Sequence, residues 1–113
     1  MDINLNGFWQ NQHDSEMNLK IDGENITGTF QTKIGVPSFD EKFEVIGRLK
    51  DNLIAFIVDF SKYGSLACWT GHIEVDDIGV VIHSMYHLSQ TDGKSEDKVP
   101  KAILTGVGTF RKP

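Results

Sequence analysis

The chain is predicted to fold as a single all-β domain, an eight-stranded antiparallel up-and-down β-barrel spanning residues 1–113. Apolar and polar residues alternate with a period of two along most of the sequence, whereas the helical period is nearly absent. Short turn signals separate the alternating segments, which favours an antiparallel meander. Eight strands can close on themselves, leaving an interior that is filled by side chains or that holds one small ligand.

Each predicted strand is bounded by residues that favour turns. Hairpin turns are indicated at Asp22-Gly23, Lys50-Asp51-Asn52 and Asp76-Asp77. Longer connections are expected over residues 35–38, 61–65 and 91–100. The strands themselves are predicted at residues 6–12, 15–21, 25–33, 42–50, 53–60, 66–75, 79–89 and 101–111.

Length and charge narrow the range of functions. With 113 residues the chain makes one domain that can bury a core. A net charge of −5 argues against binding to nucleic acid or to an anionic membrane, because both need clustered Lys and Arg. No apolar run reaches the roughly 20 residues that cross a bilayer. The first residues lack the segments of a signal peptide, which predicts a cytoplasmic protein or one whose leader has been removed.

The sequence has no set of residues with the pattern of a catalytic centre. Catalysis needs a nucleophile beside a base, paired carboxylates or a metal set. His83 and Ser84 point to opposite faces of a strand, and Asp76 and Asp77 lie in a turn. Cys68 is the only cysteine, so no intramolecular disulfide can form. We therefore expect a binding protein without a cofactor or a metal, not an enzyme.

The parity of the strands predicts which side chains face the barrel interior, because residues i and i+2 point the same way. One parity collects almost all of the aromatic residues of the later strands, while Glu44, Asp59 and Glu74 fall on the other side. The predicted inward set is Trp9, Asn11, Phe30, Thr32, Phe56, Val58, Phe60, Ala67, Trp69, Gly71, Ile82, Ser84, Tyr86, Leu88, Leu104, Gly106, Gly108 and Phe110.

This inward set combines large rings with small polar groups, which a core built only for stability seldom needs. The aromatic walls are Trp9, Phe60, Trp69 and Tyr86. The short polar groups, gathered where the first three strands adjoin, are Asn11, Ser15 and Thr32. Gly71, Gly106 and Gly108 thin the later strands and are expected to leave room inside. The pattern suggests a ligand cavity, and a filled barrel whose polar groups bond to neighbouring backbone accounts for it equally well.

Five short motifs occur in order along the chain between Gly7 and Phe110. They are Gly7-Phe8-Trp9-Gln10-Asn11-Gln12 followed by Ser15, Thr27-Gly28-Thr29-Phe30, Gly47-Arg48, Trp69-Thr70-Gly71 and Gly106-Val107-Gly108-Thr109-Phe110. At this spacing they resemble the avidin/streptavidin family of biotin-binding barrels. The resemblance implies an avidin-like fold and the small molecule biotin as the ligand.

The resemblance also implies roles for four residues around the ureido ring of biotin. Asn11 and Ser15 match residues that donate to the ureido oxygen, and Phe30 stands where a tyrosine supplies a third donor. Thr32 matches the hydroxyl that accepts from a ureido nitrogen. Because Phe30 has no hydroxyl, Asn11 and Ser15 would hold the ureido oxygen with two side-chain donors instead of three.

Further matches concern the rest of the ligand. Ser65 and the backbone N–H of Val36 match groups that bind the valerate carboxylate. The matched aromatic walls are Phe60, Trp69 and Tyr86, with Trp9 lining the floor.

Several positions depart from the family pattern. Ala67 replaces a threonine that contacts the thioether sulfur, and Gly108 replaces an aspartate or asparagine that accepts from the second ureido nitrogen. Pro100 lies where many members place a tryptophan that closes a neighbouring subunit's pocket. Phe60 and Tyr86 replace tryptophans and bury less area. We expect biotin binding that is weaker than is typical of the family.

The outward face of the last two strands is expected to meet a partner. It carries Val81, His83, Met85, His87, Ile103, Thr105 and Val107. In the avidin family these strands meet across subunit interfaces, which implies a homo-oligomer, a tetramer or larger. The resemblance also implies a secreted or periplasmic protein.

Two other functions remain open from the sequence. Ala67 and Gly108 would suit a barrel-shaped carrier of another small heterocyclic ligand. A barrel-shaped interaction protein of the inhibitor or lectin type would instead act through segments 35–41 and 91–100.

Overall fold

The computed structural model describes residues 4–32, 41–90 and 103–112, with side chains from residue 105 onward in the last segment. The strands form a closed antiparallel barrel in which each pairs with the next and the eighth returns to the first. They are β1 (Gly7–Gln10), β2 (Glu16–Asp22), β3 (Asn25–Gln31), β4 (Phe43–Lys50), β5 (Leu53–Phe60), β6 (Ser65–Val75), β7 (Val80–Gln90) and β8 (Ile103–Arg111). The predicted closed eight-stranded barrel is confirmed.

The described turns follow the turn signals in the sequence. Gly23 has a φ of 62° and Asp51 a φ of 54°, so both residues adopt the left-handed conformation that tight hairpins require. At the β6–β7 turn the Asp76 backbone N–H donates to the Gly79 carbonyl at 2.9 Å. A short 3₁₀ turn, Ser61–Tyr63, joins β5 to β6. In the described ranges, no helix is long and apolar enough to cross a membrane.

Among the side chains that the structure describes, the predicted inward residues are buried or partly buried and the predicted outward residues are exposed or partly exposed, except Val81. The side chains of Ile103 and Leu104 lie outside the described part of the chain. Val81 was expected outside as part of the exposed face, but it is fully buried. It pairs with Glu74 on β6 and with Arg111 on β8, so a long side chain flanks it on each neighbouring strand. The buried hydrophobic residues of the interior include Trp9, Met17, Phe30, Val45, Phe56, Val58, Ala67, Trp69, Ile82 and Phe110.

An ion pair joins the β6–β7 turn to the end of β8. The two terminal nitrogens of the Arg111 guanidinium, Nη1 and Nη2, both donate to the carboxylate of Asp76, Nη1 at 3.1 Å. The Asp76 carboxylate also accepts from the backbone N–H groups of Ile78 and Gly79. Arg111, and to a lesser extent these two N–H groups, holds the pKa of Asp76 well below its usual range.

The lowered pKa of Asp76 predicts a pH-dependent contribution to stability. A carboxyl with a depressed folded-state pKa stabilises the protein above its unfolded pKa, about 3.9, and loses that effect as the pH falls through the folded value. Asp76→Asn should therefore lower the urea midpoint near pH 7, and its difference from the unmodified protein should shrink in strong acid. Asp77→Asn on the same turn is the control. A pH-independent difference for Asp76→Asn would contradict the prediction.

Candidate functional site

One end of the barrel collects most of the residues singled out from the sequence. The connections β1–β2, β3–β4, β5–β6 and β7–β8 all lie at this end, because the strands alternate in direction. The site residues at strand ends or connections there are Asn11, Ser15, Thr32, Phe60 and Ser65. Val36 and Pro100, which the sequence also singled out, lie outside the described residues.

The Asn11 side chain organises the turn between β1 and β2. Its Oδ1 accepts hydrogen bonds from the backbone N–H groups of His13 at 2.9 Å and Ser15 at 3.0 Å. Asp14 in this turn has a φ of 63°. Strand β1 therefore ends at Gln10, and Asn11 lies in the turn instead of sharing a strand face with Trp9 as predicted. These two bonds fix the orientation of the Asn11 amide group. Its Nδ2 therefore points away from the two backbone N–H groups and can act as a donor.

Three short hydroxyl side chains at this end are buried. Ser15 is 2% exposed, while Thr32 and Ser65 are each 8% exposed. Thr32 follows the last residue of β3, and Ser65 begins β6 instead of lying in the preceding loop. Buried hydroxyls need hydrogen-bond partners, so their location marks a polar part of the interior. The structure thus brings polar groups to the end of the barrel that the sequence indicated.

Three of the four predicted aromatic walls, Phe60, Trp69 and Tyr86, belong to one cluster of rings around Trp69. Phe56 stacks on the Trp69 ring with centroids 5.2 Å apart and an interplanar angle of 9°. Phe30 lies 5.4 Å from it and Tyr86 5.5 Å. Phe60 packs edge-on to Phe30 at 6.0 Å. Phe60 and Tyr86 are only partly buried, so the cluster is partly exposed at these two residues.

The room above Gly106 and Gly108 is filled by rings, and that above Gly71 by the β7 backbone. A Cβ on Gly106 would lie 2.6 Å from the Tyr86 ring, and one on Gly108 would lie 2.9 Å from Trp69 Nε1. The expectation that these glycines leave empty space is therefore wrong. Gly106 and Gly108 let neighbouring aromatic side chains approach the β8 backbone. The barrel is consequently packed with rings at the level of Trp69.

The indole N–H of Trp69 has no hydrogen-bond partner among the described residues, although the atom is buried. Trp9 differs, because its Nε1 donates to the Leu5 carbonyl at 2.9 Å in a fully buried setting. An unpaired buried polar group is destabilising, and it demands a structural explanation. Here the explanation is Gly108, which places no side-chain acceptor beside the indole nitrogen.

The two tryptophans offer a matched test of this difference. Trp9→Phe removes a hydrogen bond and orphans the Leu5 carbonyl, whereas Trp69→Phe removes a donor that has no described partner. Both changes delete a similar volume from buried sites. We expect Trp9→Phe to lower the free energy of unfolding by about 1–3 kcal/mol more than Trp69→Phe. Urea unfolding of the ligand-free variants measures this, and equal losses would contradict it.

The rim beside Phe60 carries a small charged network. Lys62 donates to the Glu41 carboxylate at 2.8 Å, and the Tyr63 hydroxyl donates to its other oxygen at 2.6 Å. The hydrogen bond to Glu41 raises the pKa of both Lys62 and Tyr63. In the part of the chain that the structure describes, no group of three or more His, Cys, Asp or Glu side chains has the arrangement of a metal site.

Two residues at the site received no specific role from the sequence. The Ser84 hydroxyl is buried and donates to the Gly108 carbonyl at 2.6 Å. The Gln12 side chain reaches from the β1–β2 turn to the β8 backbone, with Nε2 donating to the Val107 carbonyl and Oε1 accepting from the Thr109 N–H. Both contacts depend on how β8 aligns with another part of the chain, so no local pattern predicts them.

The sequence profile of the avidin family matches residues 1–113. The chain belongs to the avidin family. Its fold is the closed eight-stranded barrel that the sequence predicted.

Solved structures of other family members share the fold. The crystal structure of a rhizavidin–biotin complex is 26% identical, with a TM-score of 0.77, and the match covers 92% of this chain and 96% of that one. Xenavidin is 23% identical, with a TM-score of 0.84 and complete coverage of both chains. A short afifavidin–biotin complex is 25% identical, with a TM-score of 0.75, covering 92% of this chain and 85% of that one. No curated protein sequence matches the chain.

Proposed function

We propose that the protein binds biotin at the end of the barrel that contains Asn11, Ser15 and Thr32. The observation that carries the proposal is the burial of short polar groups there, beside an aromatic cluster, in a chain of the avidin family. The likeness to rhizavidin, which has been crystallised with biotin, supports the same ligand. Binding, not catalysis, is the proposed activity.

The ureido oxygen of biotin would be held by two side-chain donors. Asn11 Nδ2 is oriented by the two backbone N–H groups that bind Oδ1, so little side-chain freedom is lost when a ligand binds. The Ser15 hydroxyl is the second donor, and the Thr32 hydroxyl would accept from a ureido N–H. Ser65 and the Val36 backbone N–H are proposed to bind the carboxylate at the other end of the ligand.

The rings would enclose the bicyclic part of biotin. The proposed contacts come from Phe60, Trp69 and Tyr86, with Trp9 beneath the ureido site and Phe30 beside it. Phe30 packs 5.4 Å from Trp69, so its ring occupies part of the interior next to the proposed head-group site. It contributes apolar contact and shape but no hydrogen bond.

Two missing polar partners set the expected affinity. Phe30 has no hydroxyl for the ureido oxygen, and Gly108 has no side chain to accept from the second ureido N–H. A neutral hydrogen bond contributes about 0.5–1.5 kcal/mol and a stronger, charge-assisted one about 1.5–3 kcal/mol. Together these losses correspond to on the order of 2–4 kcal/mol, or roughly 30- to 1,000-fold. The tightest avidin-type complexes lie near the ceiling for non-covalent binding, so substantial affinity would remain.

A titration with biotin tests the proposed function. Isothermal calorimetry should show one site per chain, and excess biotin should raise the unfolding temperature by mass action. The protein should also be retained on biotin-agarose and released by free biotin. Absence of heat, of thermal stabilisation and of retention would reject biotin and leave another small heterocyclic ligand as the candidate.

We also propose that the chain assembles into a homo-oligomer, a tetramer or larger, and that it acts outside the cytoplasm. Assembly is supported by exposed apolar side chains on the outside of β4 to β8, where Ile46 pairs with Ile57 and Met85 with Val107. They are Ile46, Ile57, Leu66, Met85 and Val107. Light scattering on the purified protein measures the mass directly, and a monomer would reject the assembly.

A further inference from the structure

The barrel closes through a narrow backbone seam between β1 and β8. In the described strands, Gln10 and Arg111 form the single registered pair across this seam. By contrast, β1 and β2 share four pairs and β7 and β8 share nine. Backbone pairing therefore contributes much less to holding β1 against β8 than it does at the neighbouring strand pairs.

The Gln12 side chain supplies the pairing that the backbone lacks. Its Nε2 donates to the Val107 carbonyl at 2.6 Å, and its Oε1 accepts from the Thr109 N–H at 3.0 Å. One planar amide thus satisfies the donor and the acceptor on either side of Gly108, as a peptide group of a paired strand would. Gln12 extends the seam beyond the last backbone pair.

Gln12 belongs to a turn that already behaves as one unit. Within this turn Asn11 N–H donates to the Ser15 carbonyl at 3.0 Å, and Asp14 N–H donates to the Asn11 carbonyl at 3.1 Å. The Asn11 side chain adds two more bonds to the turn backbone. A force applied through Gln12 therefore moves Asn11 and Ser15 together, since the bonds inside the turn fix them relative to each other.

We propose that Gln12 is a positioning residue for ligand binding, and this inference rests on the proposed function. It clamps the Asn11–Ser15 turn to β8 at the level of Gly108 and so sets the distance between the two ligand donors and the opposite wall. Gln12 is exposed, and in this proposal it acts on the ligand through the turn. Its loss lets the turn move away from β8, which shortens the lifetime of the complex.

The first test compares Gln12→Ala with His13→Ala, an exposed residue of the same turn whose side chain has no described contact. Dissociation of fluorescent biotin is followed by chasing with unlabelled biotin. Gln12→Ala should release biotin at least tenfold faster, while His13→Ala stays within twofold of the unmodified protein. A release rate for Gln12→Ala within twofold of the unmodified protein would overturn the proposal, as would equal effects of the two variants.

A second variant separates positioning from a general loss of stability. Gln12→Glu keeps the acceptor for Thr109 but, when ionised, cannot donate to Val107. At pH 7 it should release biotin faster, and protonation near pH 4 should restore the donor and bring its rate back towards that of the unmodified protein at the same pH. No recovery in acid would overturn the clamp.

The amide of Thr109 reports on the clamp without any ligand. Its hydrogen exchange, measured by NMR on the ligand-free protein, should speed up at least tenfold in Gln12→Ala and stay unchanged in His13→Ala. If biotin failed to bind the unmodified protein, the proposed function would fall, while fast Thr109 exchange in Gln12→Ala would still support the clamp. Unchanged Thr109 exchange in Gln12→Ala would overturn it.

Discussion

Replacing Asn11 and Ser15 together by alanine is expected to lower the affinity for biotin by about a hundredfold or more. The double variant removes both proposed donors to the ureido oxygen, and two neutral hydrogen bonds are worth about 1–3 kcal/mol, or roughly 5- to 150-fold in affinity. The loss should be larger still, because Asn11 also holds the backbone N–H groups of His13 and Ser15. Competition with labelled biotin measures the change.

A subtler substitution separates the donor from the turn. Asn11→Asp keeps the oxygen that accepts from His13 and Ser15 but replaces the Nδ2 donor with a second oxygen. The turn should therefore survive, while the ureido oxygen meets a negative charge instead of an N–H. We expect a loss of affinity at least as large as in Asn11→Ala, with a smaller loss of thermal stability.

The control for these variants lies on the outside of the neighbouring strands. Asn18→Ala combined with Thr27→Ala removes one amide and one hydroxyl that are exposed on β2 and β3. This pair should leave both biotin affinity and stability unchanged, because exposed substitutions away from special features are usually within about 0.5 kcal/mol. Full retention of biotin by the Asn11 and Ser15 variants would refute the proposed site.

Replacing Gly71 by alanine is expected to destabilise the barrel severely, because the added methyl group would meet the backbone of the next strand. Its Cβ would lie 2.0 Å from the His83 carbonyl oxygen and 2.7 Å from the Ser84 Cα. Both atoms belong to the β7 backbone, which cannot move away without breaking the pairing of β6 with β7. Overpacking typically costs about 1–3 kcal/mol, and a clash with backbone should reach or exceed that upper value.

Thermal and urea unfolding of Gly71→Ala measure the effect. Small domains have a total stability of only about 5–15 kcal/mol, so expression mainly as unfolded protein is an outcome that also agrees with the prediction. Thr70→Ala, exposed on the same strand, is the control and should stay within about 0.5 kcal/mol of the unmodified protein. A Gly71→Ala variant as stable as this control would contradict the prediction, because the β7 backbone would then have moved at little cost.

The sequence predicted the barrel well because the signals for it, strand alternation and turn residues, are local in the chain. Alternation along β5 and β6 identifies inward residues directly. Gly23 and Asp51 indicate the β2–β3 and β4–β5 hairpin turns. Val81 is the instructive failure. Parity places Val81 outside, but the structure buries it. Its neighbours Glu74 and Arg111 lie on two other strands, so they become known only when the three strands are aligned.

The residues of the candidate site stay a prediction, and the packing around them could not be predicted from the sequence. Family motifs located Asn11, Ser15 and Thr32, and the structure places the latter two in buried positions. The unpaired indole N–H of Trp69 could not be anticipated, because it depends on how closely that ring approaches Gly108. The bridge from Gln12 to β8 joins residues about a hundred positions apart and has no local signature.

The contact of Lys112 with the start of the chain has a practical consequence for engineering. Its ammonium group donates to the carbonyls of Asn4 at 3.0 Å and Asn6 at 2.8 Å, so the first and last described residues are neighbours. A short peptide could splice them, and a new start could be opened at the exposed hairpin around Gly23 without cutting a strand. Such a circular permutant would make β8 and β1 consecutive in sequence. In the described strands these two share a single registered backbone pair.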